Sequence, residues 1–216
     1  MWAKKNPSKF WTPGRTLRIA FLNGTEDFKA ATISAANNWL PHINLKFDFV
    51  EGKEGDIRIL SEDGTFSSEI GTDALLSTDE PTMTLWPHSP IHARYFAANV
   101  MHEFGHMLGA EHEQTNPTAN IPWNTSALYA EHGITEDPEE DNYQARVTRE
   151  KLHRWYLDRA APEASVYSEY DQESIMHYVI RQSWTEGDFE VYLNFDLSEK
   201  DKAFMAKAYP DPAENE

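Results

Sequence analysis

The chain has 216 residues, of which 40% are hydrophobic and 12% aromatic, and it contains no cysteine. This length and apolar fraction predict one domain whose core is stable without disulfide bonds. Its 19 basic and 36 acidic residues give a formal net charge of −17, which argues against binding to nucleic acid or anionic membranes. Such a charge favours solubility, with attraction of cationic peptides as the alternative. There is no run of 18 apolar residues, so the sequence predicts no membrane span.

The first part of the chain predicts strands separated by a helix. Thr25 follows Asn23-Gly24 as the N-cap of the helix, and apolar residues continue at helical spacing to Leu40 until Pro41 stops it. Strand, helix and strand in this order predict a right-handed crossover between parallel neighbours. Three segments have the composition or alternation of strands: residues 17–22, 45–50 and 56–60.

Residues 61–79 are polar and predict a loop. Their carboxylates could hold a calcium ion, but the spaced acidic motif of a calcium loop is missing, which favours a solvated loop. The next segment, residues 80–86, has alternating side chains and predicts a short strand.

Residues 89–108 predict a helix that Ser89 caps and Pro90 begins. His102 and His106 are four residues apart, so they lie on one face of this helix about one turn apart. The opposite face is apolar, which predicts that one side packs on a core while the other faces a cleft. The apolar residues are Ala97, Val100, Met101, Phe104 and Leu108.

The segment from His102 to His112 carries the most specific motif, H-E-x-x-H-x-x-G-x-x-H. Gly109 can adopt a conformation that other residues resist, so the chain can leave the helix and return with His112 as a third ligand. Three protein ligands leave one position of a tetrahedral zinc ion open for water, as in catalytic sites. Glu103 can take a proton from that water. A histidine pair on a helix is usually an ordinary packing feature, but five specified residues in eleven are not.

A second motif, S-I-M-H-Y, occupies residues 174–178 and follows Tyr170-Asp171. With the zinc motif and the Glu113-Gln114 after it, this sequence resembles the astacin branch of the metzincins, whose Met-turn follows the zinc motif. The resemblance implies an α+β zincin fold with an N-terminal, mixed, mostly parallel twisted sheet, an antiparallel edge strand and two long helices. A small, mainly helical or irregular C-terminal subdomain would complete the active-site cleft. Residues 1–216 would be one catalytic domain, divided into subdomains 1–112 and 113–216.

The resemblance also implies the roles of the site residues. Glu103 would be the general base, and Met176 would form an apolar floor beneath the metal. Tyr178 would be a fifth, switchable ligand that stabilises the oxyanion, a role that suits a phenol, although an ordinary packed tyrosine is the alternative. His177 is structural in the family, so we expect it to be hydrogen-bonded and partly buried. One catalytic Zn²⁺ would be bound by His102, His106 and His112.

Metzincins place an antiparallel edge strand upstream of the zinc helix, and substrate pairs with it. An open edge offers unpaired backbone groups to an extended peptide, which suits an endopeptidase. The resemblance therefore implies that residues 80–86 form this edge strand, with a plain edge strand that binds no ligand as the alternative. Its substrate-binding residues would be Thr82, Met83, Thr84 and Leu85.

The chain departs from the animal astacin pattern in two respects. It has no cysteine, and the residues that follow Glu113 lack the arginine and aspartate of those enzymes, so it is most similar to short, cysteine-free microbial astacin-like peptidases. In astacins the glutamate after the third histidine is tied to the trimmed N-terminus. Because residue 1 is Met and no propeptide is visible, we do not transfer this role to Glu113.

The second half of the chain predicts helices separated by polar loops. Residues 124–132 and 143–160 have helical character, and the acidic run of residues 136–141 predicts an exposed loop. Ser198 caps a final helix, with Asp201 in its first turn, and Pro210 stops it.

These features predict a zinc-dependent endopeptidase that acts as a monomer on protein or peptide substrates bound in extended form. The alternatives are a narrow-specificity zinc hydrolase or effector that cuts one partner protein, and a non-catalytic zinc-containing binding module, against which the intact Glu103 argues. No signal segment is visible, since residues 1–10 are polar and basic. We expect secretion with the signal absent from this chain; another export route or an intracellular role is the alternative.

Overall fold

The computed structural model of the chain describes residues 1–5, 8–87, 93–137, 139 and 142–211. The first half of the chain is built on a five-stranded sheet. The strand order is β3-β2-β4-β6-β5. Strand β2 is parallel to both β3 and β4, β4 is parallel to β6, and only β5 is antiparallel to its neighbour β6. The strands are β2 (Thr16–Phe21), β3 (Lys46–Glu51), β4 (Ile57–Ser61), β5 (Ser67–Ser68) and β6 (Met83–Leu85), and β1 belongs to a separate sheet described below.

The three strands predicted in the first part of the chain are confirmed, together with their parallel pairing. Ile19 at the centre of β2 lies opposite Phe49 of β3 and Ile57 of β4. Ile19 and Ile57 are almost fully buried, because a parallel sheet with covered faces needs apolar side chains along its central strands.

The prediction that residues 80–86 form the antiparallel edge strand is wrong. β6 is parallel to β4 and lies inside the sheet, and Thr84 is opposite Leu60 on one side and Ser67 on the other. The antiparallel edge is β5, which lies within the segment predicted as a loop. The alternation correctly indicates a strand, but its edge position was implied by the resemblance, and two strands, β5 and β6, lie upstream of the zinc helix. β6 pairs with β4 over Met83–Leu85 and with β5 at Met83 and Thr84, so it is not the open edge expected for the proposed substrate-binding residues: Thr82, Met83, Thr84 and Leu85.

The polar segment after β4 is ordered by one buried side chain. Arg58 is 3% exposed, and its guanidinium donates hydrogen bonds to four carbonyl oxygens. Part of the segment forms a 3₁₀ helix at Gly71–Leu75. The carbonyl oxygens belong to Gly55, Ala74, Ser77 and Glu80.

Two helices pack together over the sheet. Helix α1 (Glu26–Ala36) begins as predicted, since the Thr25 side chain accepts a hydrogen bond from the Phe28 N–H. It ends earlier than predicted, and the chain continues as a 3₁₀ helix at Asn37–His42. Pro41 has no N–H to continue the α-helical pattern, which accounts for the tighter turn. Helix α2 (Ala93–Met107) carries the first two histidines of the motif; its predicted cap, Ser89 and Pro90, lies outside the described residues.

The second half contains shorter elements. The predicted helix at residues 143–160 is α-helical only to Leu152, after which a π-helix covers His153–Leu157. Part of the acidic run at 136–141 lies outside the described residues. A two-stranded antiparallel sheet that the sequence did not predict joins β1 (Trp2–Lys4) to β7 (Ser165–Tyr167). The helices are α3 (Thr125–Glu131), α4 (Tyr143–Leu152) and α5 (Glu199–Ala208).

The main hydrophobic core joins the two ends of the chain to the sheet. It includes Met1 and Trp11 from the N-terminal segment, and Met176, Phe204 and Tyr209 from the C-terminal half. Two smaller clusters lie wholly beyond residue 112. In the part of the chain that the structure describes, no helix has the length and apolar character needed to cross a membrane.

We expect Arg58→Met to lower the free energy of unfolding by about 3 kcal/mol, because it leaves four buried or partly buried carbonyl oxygens without their donor. Arg18→Met is the matched control, since Arg18 lies on the neighbouring strand β2 with an exposed side chain. Denaturant unfolding of both variants measures the difference. Equal small losses would show that the guanidinium contributes nothing beyond its aliphatic stem.

Candidate active site

Three histidines converge at the end of α2. His102 and His106 lie on the helix, and His112 returns to them after the chain reverses at Gly109. Ligand nitrogens of these three side chains all lie within 4.8 Å of one another. Within the described ranges, this is the one group of three or more histidine, cysteine or acidic side chains placed to hold a metal ion.

The reversal depends on the conformation of Gly109. Its φ is +97°, in the region that glycine adopts without strain. The N–H of Gly109 donates to His106 O at 2.8 Å and that of Ala110 to Gly105 O at 3.0 Å, the paired bonds of a Schellman helix end. The role predicted for Gly109 is thus consistent with the observed backbone.

Backbone carbonyls fix the orientation of two imidazoles. His102 Nδ1 lies 2.8 Å from Ile175 O, and His106 Nδ1 lies 2.8 Å from Ala110 O. A carbonyl oxygen only accepts, so each Nδ1 carries the proton and each Nε2 keeps its lone pair for a metal. His106 Nε2 lies 3.0 Å from His112 Nε2.

Burial keeps all three rings neutral, which is the form that binds metal. It lowers the pKa of His102 to about 4 and, helped by the neighbouring His102, that of His106 to about 3. Burial and then the other histidines also hold the pKa of His112 well below its usual value. Neutral imidazoles with oriented nitrogens fit a zinc ion, whose preferred ligands include histidine nitrogen.

Glu103 is a buried carboxyl group next to the first histidine. It is 5% exposed, and its Oε2 has no hydrogen-bond partner among the described residues. Burial raises the pKa of Glu103 to about 8. A buried polar atom without a protein partner is unusual, and here it marks a position where a water molecule or substrate can be bound.

Tyr178 lies against the histidine cluster. Its ring centroid is 4.1 Å from that of His112 and 5.7 Å from that of His102. Burial, followed by the charge of Glu103 and the neighbouring Tyr156, raises the pKa of Tyr178, so its hydroxyl stays protonated and able to donate. The structure therefore brings the predicted base and the predicted phenol to one place.

A tight turn packs directly beneath α2. The His177 N–H donates to Ser174 O at 3.0 Å, and the Met176 N–H donates to Ser174 Oγ at 3.1 Å. Met176 is fully buried, and a Cβ atom added to Gly105 would lie 2.2 Å from its sulfur. Gly105 thus allows the turn to approach the helix between the two histidines.

Asp201 anchors this turn, a role that the sequence did not reveal. Its carboxylate accepts hydrogen bonds from Ser174 Oγ at 2.6 Å and from the Ile175 N–H at 2.8 Å. It also completes the capping box of α5 with Ser198. The capping motif was the available signal, but it did not show that the carboxylate also reaches the turn that orients His102.

Glu113 contacts the N-terminus of the chain, as the corresponding glutamate does in astacins, although we did not transfer that role to it. The N-terminal nitrogen of Met1 lies 2.9 Å from Glu113 Oε2, with both groups fully buried. Glu113 Oε1 accepts from Asn116 Nδ2 at 3.1 Å and from the Asp171 N–H at 2.9 Å. Burial raises the pKa of Glu113 to about 7 although the ammonium opposes this shift.

His177 is hydrogen-bonded as expected, though it is fully rather than partly buried. Its Nε2 lies 2.6 Å from the Tyr170 hydroxyl, and its Nδ1 lies 2.6 Å from Tyr178 O. Burial lowers the pKa of His177 to about 4. The ring therefore belongs to the support of the turn and is not part of the histidine cluster.

Solved structures with the same fold cover nearly the whole chain. A structure of myroilysin has a TM-score of 0.86 at 29% sequence identity, over 98% of this chain and 99% of that one. A crystal structure of myroilysin has a TM-score of 0.70 at 32% identity, over 95% of this chain and 88% of that one. No protein-family model and no curated protein matches the sequence.

A more distant structure supports the fold alone. High choriolytic enzyme 1, a hatching enzyme zinc-protease from the medaka fish Oryzias latipes, has a TM-score of 0.61 at 16% identity, over 92% of each chain.

The contact between Gly105 and Met176 predicts that Gly105→Ala lowers the free energy of unfolding when Met176 is present and raises it when Met176 is replaced by alanine. Gly105→Ala alone should lower the free energy of unfolding by about 1 to 2 kcal/mol, because the clash outweighs the better helix propensity of alanine. In a Met176→Ala background the clash is gone, and the same change should stabilise the protein by about 1 kcal/mol. Denaturant unfolding of the three variants tests this, and equal effects in both backgrounds would contradict the contact.

Proposed function

This chain belongs to the astacin-like zinc metallopeptidases of the metzincin group, and from that premise we propose how its own residues hydrolyse peptide bonds. The activity is that of a zinc-dependent endopeptidase. One observation carries the assignment of residues: three neutral, buried histidines of a single motif converge beside a buried carboxyl group with an unpartnered oxygen. No feature of the described residues favours a binding module without catalysis.

In the proposed mechanism Glu103 moves the proton. His102, His106 and His112 would hold one zinc ion, which when bound supplies the positive charge that polarises the scissile carbonyl and acidifies water. The positive charge of a bound zinc ion would oppose the effect of burial and favour the ionised form of Glu103, which accepts the proton of the attacking water and returns it to the leaving nitrogen. The Tyr178 hydroxyl donates a hydrogen bond to the carbonyl oxygen as negative charge develops on it.

The buried turn with Met176 would serve as the Met-turn of the family. Its packing against Gly105 and its anchoring by Asp201 support a role as a rigid floor that fixes the imidazoles from below. We also propose the division into subdomains 1–112 and 113–216, with the cleft between them. Two hydrophobic clusters that lie wholly beyond residue 112 support this division.

The open edge of the sheet offers a place for an extended substrate. β5 is the last strand in the order, and within the described residues no strand pairs with its outer side. The Glu69 N–H donates to Thr82 O at 2.8 Å and thus faces β6. Since bonded and open positions alternate along an antiparallel strand, the Ser68 N–H faces outward, and we propose that it binds a substrate carbonyl.

We further propose that the enzyme works outside the cell as a monomer. An endopeptidase that accepts extended segments of many proteins would damage the contents of the cell that makes it. The net charge of −17 supports solubility without a partner.

Glu103→Ala should leave zinc bound and lower kcat by about 10²- to 10⁴-fold, because the site loses its proton acceptor. The measurement is cleavage of casein or gelatin with and without a zinc chelator, together with the zinc content of each protein. Glu150→Ala, an exposed glutamate on α4, is the control and should behave as the wild type. Substantial residual cleavage by Glu103→Ala would refute the role of Glu103.

A panel of unfolded proteins separates a broad endopeptidase from a narrow one. We expect cleavage of many members of the panel, all of it sensitive to the chelator. Cleavage of one or none by a protein with bound zinc would instead favour an enzyme specific for a single partner.

Ser68→Pro should raise KM for an extended peptide about fivefold while kcat stays nearly unchanged, because one hydrogen bond to substrate is lost. Proline is tolerated where the N–H of an edge strand faces outward, so the melting temperature should stay close to that of the wild type. Ser68→Ala keeps the donor and is the matched control. An unchanged KM in the proline variant would place the substrate elsewhere.

A further inference from the structure

Gln114 is a buried amide that the mechanism above does not use. It is 1% exposed and follows the third histidine by two residues. Its Oε1 accepts the backbone N–H of Tyr178 at 3.1 Å, and its Nε2 donates to Trp155 O at 2.7 Å. One side chain thus joins the segment that carries the catalytic phenol to the π-helix.

The π-helix carries a second tyrosine to the site. Its wide turn is closed by the Asp158 N–H, which donates to His153 O at 2.9 Å. The ring of Tyr156 lies 5.9 Å from that of Tyr178 and packs on its other sides against Trp123 at 6.0 Å and Trp184 at 5.7 Å.

The Trp155 carbonyl lies in the last turn of the π-helix, where carbonyl groups lack partners within the helix, and Gln114 supplies the missing donor. Single π-turns within helices are often found at functional sites.

These contacts hold Tyr178 from three directions. Gln114 fixes its backbone N–H, His112 packs on its ring at 4.1 Å, and Tyr156 limits the space on another side. With the backbone fixed, the phenol can move only by rotation about its own side-chain bonds.

We propose that Gln114 is a positioning residue that sets the place of the Tyr178 phenol beside the histidine cluster, with Tyr156 as the wall that limits its movement. This inference rests on the proposed role of Tyr178 as the donor to the carbonyl oxygen. The position requires a donor and an acceptor on one side chain. Methionine has a similar volume but offers no comparable donor, and glutamate would keep only the acceptor in its ionised form.

The neighbouring Asn116 provides a matched control. It is also a fully buried amide, and its Nδ2 donates to Glu113 Oε1 at 3.1 Å and to Ser168 O at 3.2 Å. None of its hydrogen bonds reaches Tyr178 or the π-helix. Loss of this amide should therefore affect stability as the loss of Gln114 does, without acting through the phenol.

The test is a double-variant cycle on kcat with a peptide substrate. We expect Gln114→Met to lower kcat about tenfold with KM changed less than about twofold and zinc content unchanged. In a Tyr178→Phe background the same change should lower kcat less than about twofold, because the phenol through which it acts is absent. Asn116→Leu should have the same effect on kcat in both backgrounds, and Gln114→Glu should retain more activity than Gln114→Met.

Equal effects of Gln114→Met in both backgrounds would overturn the inference while leaving the role of Tyr178 intact. An unchanged kcat in Tyr178→Phe alone would instead refute the proposed function of that residue. Should Gln114→Met fail to fold, Tyr156→Leu takes its place in the same cycle. The expected loss of kcat is again confined to the background that has the phenol, and a loss of equal size in both backgrounds overturns the proposal.

Discussion

The reversal of the chain at Gly109 is the constraint on which the rest of the site depends. Without it His112 would continue away from α2, and the three imidazoles could not share one ion. The reversal leaves carbonyl groups without partners in the helix, and distant side chains satisfy them. Trp11 Nε1 donates to Met107 O at 2.8 Å, and the Tyr209 hydroxyl donates to Leu108 O at 2.7 Å. Both ends of the chain therefore pack onto one bend, which explains why they share the main core with the sheet.

A second constraint acts from the other side of the cluster. The Ile175 carbonyl orients His102, and the turn that presents it is held by Asp201 at the start of α5. The ligands themselves come from a short stretch of sequence, but their orientation is set by residues far along the chain. This division of roles is typical of metal sites, where the partners of the ligands fix the geometry that the ligands alone leave free.

The sequence predicted those features that are encoded by residues close together along the chain. The zinc motif, the cap at Thr25 and the capping box at Ser198 follow from spacing within a few residues. The parallel pairing around Ile19 follows from the order strand, helix, strand, because such a crossover places its two strands in parallel. The resemblance implies an edge strand upstream of the zinc helix, but two strands, β5 and β6, lie there, and the edge position was assigned to the wrong one. Two interactions between distant positions were missed because no local pattern encodes them: Arg58 with its carbonyls, and Gln114 with Trp155. The contact of Met1 with Glu113 was available from the resemblance, but it was not transferred because residue 1 is Met and no propeptide is visible.

The anchoring of the turn by Asp201 also has a consequence for biosynthesis. All three histidines are translated well before Ile175 and Asp201, so a growing chain holds the complete ligand set without the carbonyl that orients His102 or the methionine beneath α2. Domains generally fold as units during synthesis. The support of His102 by the Ile175 carbonyl is therefore complete only after Asp201 and α5 have been added, and an unfinished chain on the ribosome carries the zinc motif without this support.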